Sequence, residues 1–159
     1  MGRAKCAGLV ARVLLQAALI TVMLGAPVVL ASERIAKPSR ALSATDTAHL
    51  KYLPKESEGS TLVEEGSAAG QLPGRMRARL SIGATFSGSF VLRTSGGSIS
   101  GHGSAIPAGS GRYESFHGSL IVSGGTGRYA HAHGRAGLFG VFDRQTYAFT
   151  VQTTGHLSY

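Results

Sequence analysis

From residue 61 to the C-terminus, short runs of alternating apolar and polar residues follow one another, separated by glycine-containing turns. Period-two alternation puts every second side chain on one face of a strand. Strands are predicted over residues 61–72, 75–82, 85–93, 98–105, 112–122, 128–133, 137–142 and 146–159. Pro73-Gly74, Gly83-Ala84, Ser95-Gly96-Gly97, Pro107-Ala108-Gly109, Gly124-Gly125 and Asp143-Arg144 make the turns. These connections are too short for crossover helices, which excludes a parallel sheet. The expected fold class is all-β, an antiparallel barrel of seven or eight strands, with a β-sandwich as the alternative.

The pattern differs before residue 61. Residues 13–31 form an apolar run whose one strongly polar member is Gln16, and Arg3, Lys5 and Arg12 precede them without any acid. That is the pattern of a signal helix, with Val29-Leu30-Ala31 offering a cleavage site before Ser32. An uncleaved anchor is the alternative and would be the chain's contact with a membrane, since a helical span needs about 20 apolar residues. Cys6 lies before the apolar run, where it does not serve as a lipidation site, and Arg3 and Arg12 do not form a twin-arginine pair. Residues 32–60 show neither sustained alternation nor an amphipathic helix, and contain Pro38 and Pro54, so they read as a disordered leader. The expected organisation is a signal peptide at 1–31, a leader at 32–60 and a barrel at 61–159. The expected location is secreted or extracytoplasmic, in the cell envelope.

Composition sharpens this. Of the 23 glycines in 159 residues, 19 lie between 66 and 159 and do not recur every third position, which excludes collagen and fits a turn-rich β protein. With 43% hydrophobic and 15% charged residues the chain is neither a polyelectrolyte nor a coiled coil. Removing 1–31 takes three of the 16 basic residues, leaving 13 against 8 acids, a net charge of +5, and takes the one cysteine. The exported chain would then have no disulfide and no cysteine zinc site, and would rely on its core or on a homo-oligomer.

Several motifs carry candidate chemistry. Gly125-Thr126-Gly127-Arg128-Tyr129-Ala130 fits a dinucleotide fingerprint as a string, but Gly134, Gly137 and Gly140 interrupt the helix that the mechanism requires. No cofactor is expected. Gly124, Gly125, Thr126 and Gly127 read as a structural turn. Gly111-Arg112-Tyr113 and Gly127-Arg128-Tyr129 each precede a His-Gly pair at equal spacing, a repeat expected to reuse one turn-to-strand geometry with the tyrosines inward. On a strand, His131 and His133 would share a face as two metal ligands, with a third needed from His102, His117 or His156; no metal site is assigned. Arg75, Arg77 and Arg79 share a face without interleaved aromatics, so nucleic acid is not expected. A charged edge strand accounts for them, with anionic envelope polymers as a weak partner.

The stretch Gly118-Ser119-Leu120-Ile121-Val122-Ser123-Gly124-Gly125-Thr126-Gly127-Arg128-Tyr129-Ala130-His131-Ala132-His133-Gly134 resembles the dirigent and allene oxide cyclase family of small secreted or plastidic β-barrels. The shared features are a strand, a Gly-Gly-Thr-Gly turn, an aromatic two residues on, and a small-residue and glycine strand start. The resemblance implies an eight-stranded antiparallel barrel around an apolar cavity for a small ligand, often in an oligomer. It brings no catalytic residues with it: Glu114 and Asp143, the acids beyond residue 66, sit in no matching motif.

Tyr113, Glu114, Tyr129, Phe139, Phe142 and Asp143 are the candidate ligand-binding residues. No nucleophile motif supports catalysis. The expected function is an exported, non-catalytic barrel binding a small apolar ligand or an envelope or partner surface. A dirigent-like or cyclase-like isomerase acting in the barrel cavity is the alternative. The second alternative is an outer-membrane or autotransporter-type surface protein, suggested by the alternation from Tyr147 to the terminal Tyr159.

Overall fold

A computed structural model describes residues 41–159, in which eight strands form a closed barrel in chain order. They are β1 (Ala41–Tyr52), β2 (Thr61–Gly70), β3 (Gly74–Ser81), β4 (Phe86–Thr94), β5 (Gly97–Ala108), β6 (Tyr113–Gly125), β7 (His133–Asp143) and β8 (Ala148–Ser158). Each strand pairs antiparallel with the next, and β1 closes the ring on β8 with a register from Ala41↔Ser158 to Leu50↔Phe149. The fold is a barrel and not a sandwich. The expected signal helix and residues 32–40 of the expected leader lie outside the described residues.

Two of the expected elements change. Residues 41–52, assigned to the leader, form β1, so the barrel begins at least twenty residues earlier than 61. Leu42, Ala44, Asp46, Ala48, Leu50 and Tyr52 alternate inward there, and with alanine and aspartate among them the stripe is weakly apolar. Residues 128–133, expected as a strand, instead make a single 3-10 turn (Gly127–Tyr129) running into β7. The chain bends at Gly127, whose φ is +62°, and local bonds follow: Tyr129 N–H donates to the Thr126 carbonyl at 3.1 Å, and Ala130 N–H to Gly127 at 3.2 Å. Eight strands remain because one expected element left and another joined.

Alternation along every strand divides the molecule into an apolar inside and a polar outside. Ala78, Phe86, Leu92, Ile99, Phe116 and Val151 pack inward, while Arg75, Arg77, Arg79, Ser115, Ser119 and Gln152 face out. Burying each large apolar side chain stabilises the fold by about 1.5–3 kcal/mol. The ring is narrow enough that some backbones meet without room for a side chain. A Cβ on Gly140 would lie 2.0 Å from the Thr150 carbonyl oxygen and 2.7 Å from the Phe116 ring, so only hydrogen fits.

β3 pairs with both β2 and β4, so the arginine row does not lie on an edge strand as expected; a closed ring has no edges. The arginines instead meet nearby acids. Arg75 pairs with Glu65 at 2.6 Å and Arg77 with Glu56, whose one-turn segment Pro54–Glu56 covers the outward side of β2 at Val63. Such surface pairs contribute about 0–1 kcal/mol each.

The barrel has two distinct ends. We call upper the end where β1 finishes and β2 begins, and lower the end where β2 finishes and β3 begins. Tyr52, Phe86, Phe116, Phe142, Tyr147 and Phe149 cluster at the upper end, with Phe142 and Phe149 stacked at 4.4 Å and Phe86 edge-on to three other rings. At the lower end Tyr129 and Tyr159 meet at 4.9 Å under the Arg128 guanidinium.

Candidate functional site

Inside the ring, below Phe86, Phe116 and Phe149, lies a cavity of about 150 Å³. Leu50, Ala78, Leu92, Ile99, Leu138 and Val151 form much of its wall. The space exists because several inward positions carry alanine or glycine: Ala48, Ala68 and Ala78 on consecutive strands, then Gly103 and Ala136 farther round. Asp46 and Thr153 bring polar atoms to this wall. Asp46 is already engaged, since its Oδ1 accepts the Leu72 backbone N–H at 2.7 Å and steadies the turn into β3. An apolar cavity of this size is comparable to ones that stay dry and accept a benzene-sized molecule.

Two glutamates enter the barrel from opposite sides of the ring, both at the upper end. Glu114 on β6 is 3% exposed, and the Arg144 guanidinium approaches its Oε2 to 2.7 Å, off the direction of a hydrogen bond. Glu64 on β2 is fully buried, at 0% exposed, and neither carboxyl oxygen has a hydrogen-bond partner. Its direct cross-strand neighbours are Tyr52 on β1 and Ala78 on β3, the latter part of the cavity wall. Burial away from water pushes the Glu64 carboxyl up to about 8, so at neutral pH it is mostly the uncharged acid.

The residues expected to bind a ligand separate into three places. Glu114 and Phe142 face the interior at the upper end, Phe142 as a buried member of the aromatic cluster. Tyr129 is buried at the lower end and is part of its closure. Tyr113 and Phe139 face outward, 62% and 41% exposed, and do not line the cavity, because each falls on the outward phase of its strand. Asp143 sits at the rim of β7, where Arg112 donates to both its oxygens at 3.3 and 3.1 Å and Gln145 N–H donates at 2.8 Å. The hydrogen-bonded guanidinium holds Asp143 down at about 2, opposite to a raised, buried acid. The two Arg-Tyr units therefore do not share one geometry: Tyr113 begins a strand facing solvent, and Tyr129 lies in a 3-10 turn.

The Gly124, Gly125, Thr126, Gly127 segment leads from β6 into that turn and packs on the β4–β5 hairpin. Thr126 N–H donates to the Ser98 carbonyl at 2.8 Å, Ser98 N–H donates to Thr126 Oγ1 at 3.1 Å, and Arg128 N–H donates to Gly96 at 2.9 Å. A Cβ on Gly97, at φ +135°, would stand 2.1 Å from the Thr126 carbonyl oxygen. His131 and His133 do not share a strand face, since residue 131 lies in the turn; the His133 ring nitrogen donates to the His131 backbone carbonyl at 2.9 Å. Among the described residues no three His, Cys, Asp or Glu side chains cluster as metal ligands.

Comparison with family models, curated proteins and solved structures returns no match. Glu64 was not among the residues singled out from the sequence. The run Leu62-x-Glu64-x-Gly66-x-Ala68 carries the signal: an acid in phase with residues that face the core.

Proposed function

We propose that the protein is an exported, non-catalytic barrel that holds one small apolar molecule in its interior. The observation that carries this reading is the apolar cavity of about 150 Å³ inside a closed ring. Its walls desolvate a ligand without offering a set of converging reactive groups, which favours binding over chemistry. Export is supported by the basic start and the apolar run 13–31. The outward faces of β3 and β6, with Arg75, Arg77, Arg79, Ser115, His117 and Ser119, are the reverse of what a lipid-facing barrel needs, which weighs against the outer-membrane reading.

An isomerase of dirigent or cyclase type has one observation in its favour, the unpaired Glu64 carboxyl beside the cavity wall. Glu64, its cross-strand neighbour Tyr52 and the other buried acid Glu114 are all outside the set of residues that line the cavity, so binding is the better account.

Titrating the full chain with toluene while following its melting temperature tests the proposal. A saturating rise is expected, because a ligand that binds only the folded barrel stabilises it by mass action. A melting temperature unmoved up to the solubility limit of toluene would overturn it.

A further inference from the structure

The inward side chains of the cavity wall are apolar except at one place. Among the polar residues that touch the space, Ser87, Ser89, Ser104, Arg135 and His156 lie on the outward, exposed phase of their strands. Asp46 on β1 and Thr153 on β8 are the two on the inward phase, and they are direct cross-strand partners. Their Cβ atoms therefore stand about 4.5–5.5 Å apart, close enough for one ligand atom to reach both side chains. Leu138, the partner of Thr153 on β7, returns the wall to hydrocarbon.

Asp46 is held in one orientation and is half satisfied. Its Oδ1 accepts the Leu72 N–H at 2.7 Å, in a space that only glycine at position 70 leaves open: a Cβ there would lie 2.5 Å from that oxygen. Oδ2 has no hydrogen-bond partner among the described residues, and no lysine, arginine or histidine of those residues pairs with the carboxyl. Unlike the oxygens of Glu64, it is not sealed off by the protein around it. The Thr153 hydroxyl is likewise unpaired among the described residues and open to contact. Resting on the binding function proposed above, we infer that Asp46 and Thr153 form the polar end of the site and select an uncharged, ring-sized alcohol. The ligand hydroxyl donates to Asp46 Oδ2 and accepts from the Thr153 O–H, which uses the free atom of each side chain. A ketone has no proton to give the carboxylate. A primary ammonium brings three donors to two acceptors, and has to leave its hydration among Leu50, Leu138 and Val151.

Cyclohexanol, cyclohexanone and methylcyclohexane are nearly equal in size and test the inference. Their affinities for the full chain at neutral pH are to be compared between the wild-type protein and Asp46→Asn. Asparagine keeps the oxygen that receives the Leu72 N–H and puts an NH2 group where Oδ2 stood, so one acceptor becomes a donor. The alcohol-to-ketone affinity ratio should fall about tenfold or more, the worth of a hydrogen bond to a carboxylate, and the differing hydration of the probes cancels between the two proteins. Thr153→Val should lower the alcohol-to-methylcyclohexane ratio about fivefold, the worth of one neutral hydrogen bond. Should Asp46→Asn fail to fold, the wild type decides through the side-chain carboxyl 13C resonance of Asp46, which cyclohexanol should shift and methylcyclohexane should not. A ratio unchanged in either variant, a carboxyl resonance that responds alike to both probes, or tighter binding of cyclohexylamine than of cyclohexanol overturns the inference while the binding function stands. Failure of all three probes to bind the wild type removes the binding function together with it.

Discussion

At its upper end the barrel gathers a cluster of six aromatic rings, Tyr147 exposed at its rim, and two buried carboxyl groups, whereas its lower end is closed by Tyr129, Tyr159 and the side chain of Arg128 lying over both. The lower closure satisfies its polar atoms: Arg128 donates to the Tyr129 hydroxyl at 3.0 Å, and the backbone of the turn is bonded to the β4–β5 hairpin. The upper end leaves the two oxygens of Glu64 unpaired. One end is finished as structure and the other carries an unmet chemical demand. The contrast teaches that an unpaired acid points to a ligand only where the cavity reaches it, as it does at Asp46 and not at Glu64.

The comparison can be broken by substitution. Phe86→Ala removes the ring that touches Phe116, Phe142 and Phe149, and should cost about 3–5 kcal/mol in urea unfolding. The pH dependence of stability sharpens it further. Burial raises the folded-state Glu64 carboxyl from 4.5 to about 8, so the folded protein keeps a proton that the unfolded chain has already lost in this window. Stability from this group is fully present below pH 4.5, falls as pH rises towards 8, and is level beyond. The fall should amount to roughly 3–5 kcal/mol across the window. Glu64→Leu should flatten that slope in denaturant titrations at several pH values, and an unchanged slope would place its cause elsewhere. Asp143 acts in the opposite sense, since Arg112 lowers it: its contribution is present above the ordinary carboxylate range and fades as pH falls towards 2.

At the lower end, Arg128→Ala removes the cation from both tyrosine faces and should cost about 1 kcal/mol by thermal unfolding without altering the pH slope. The smallest effect belongs to the outside. Arg75→Ala, which breaks an exposed pair with Glu65, should change stability by less than about 1 kcal/mol, and added salt should erase the difference.

These contrasts also explain what could be read from the sequence. Strands β2 to β6 and β8, and β7 over residues 137–142, were legible because apolar and polar residues alternate there, as in Arg75 to Ile82 and Tyr147 to Tyr159. β1 was hidden because its inward stripe contains Ala44, Asp46 and Ala48, and because Pro38 and Pro54 on either side give the segment the look of a linker. The false strand at 128–133 arose from the alternation of histidine and alanine in Ala130-His131-Ala132-His133, which the positive φ of Gly127 and the local bonds of the 3-10 turn override. Tyr113 and Phe139 are expected from the sequence to line a ligand cavity, but strand phase decides which way a side chain points, and both fall on the outward phase. Phase would equally have picked out Glu64, had an inward acid been sought alongside inward aromatics.

The central claim is that the inside of the ring, and not its surface, is the functional site. Methyl resonances of the full chain, followed by NMR during titration with toluene, test it most directly. The account predicts saturable shifts at Leu50, Ala78, Leu138 and Val151, which line the cavity, with Ile106 and Val141 on the outer face unmoved. Shifts confined to Ile106 and Val141, or no saturable shift at the interior methyls, would contradict it.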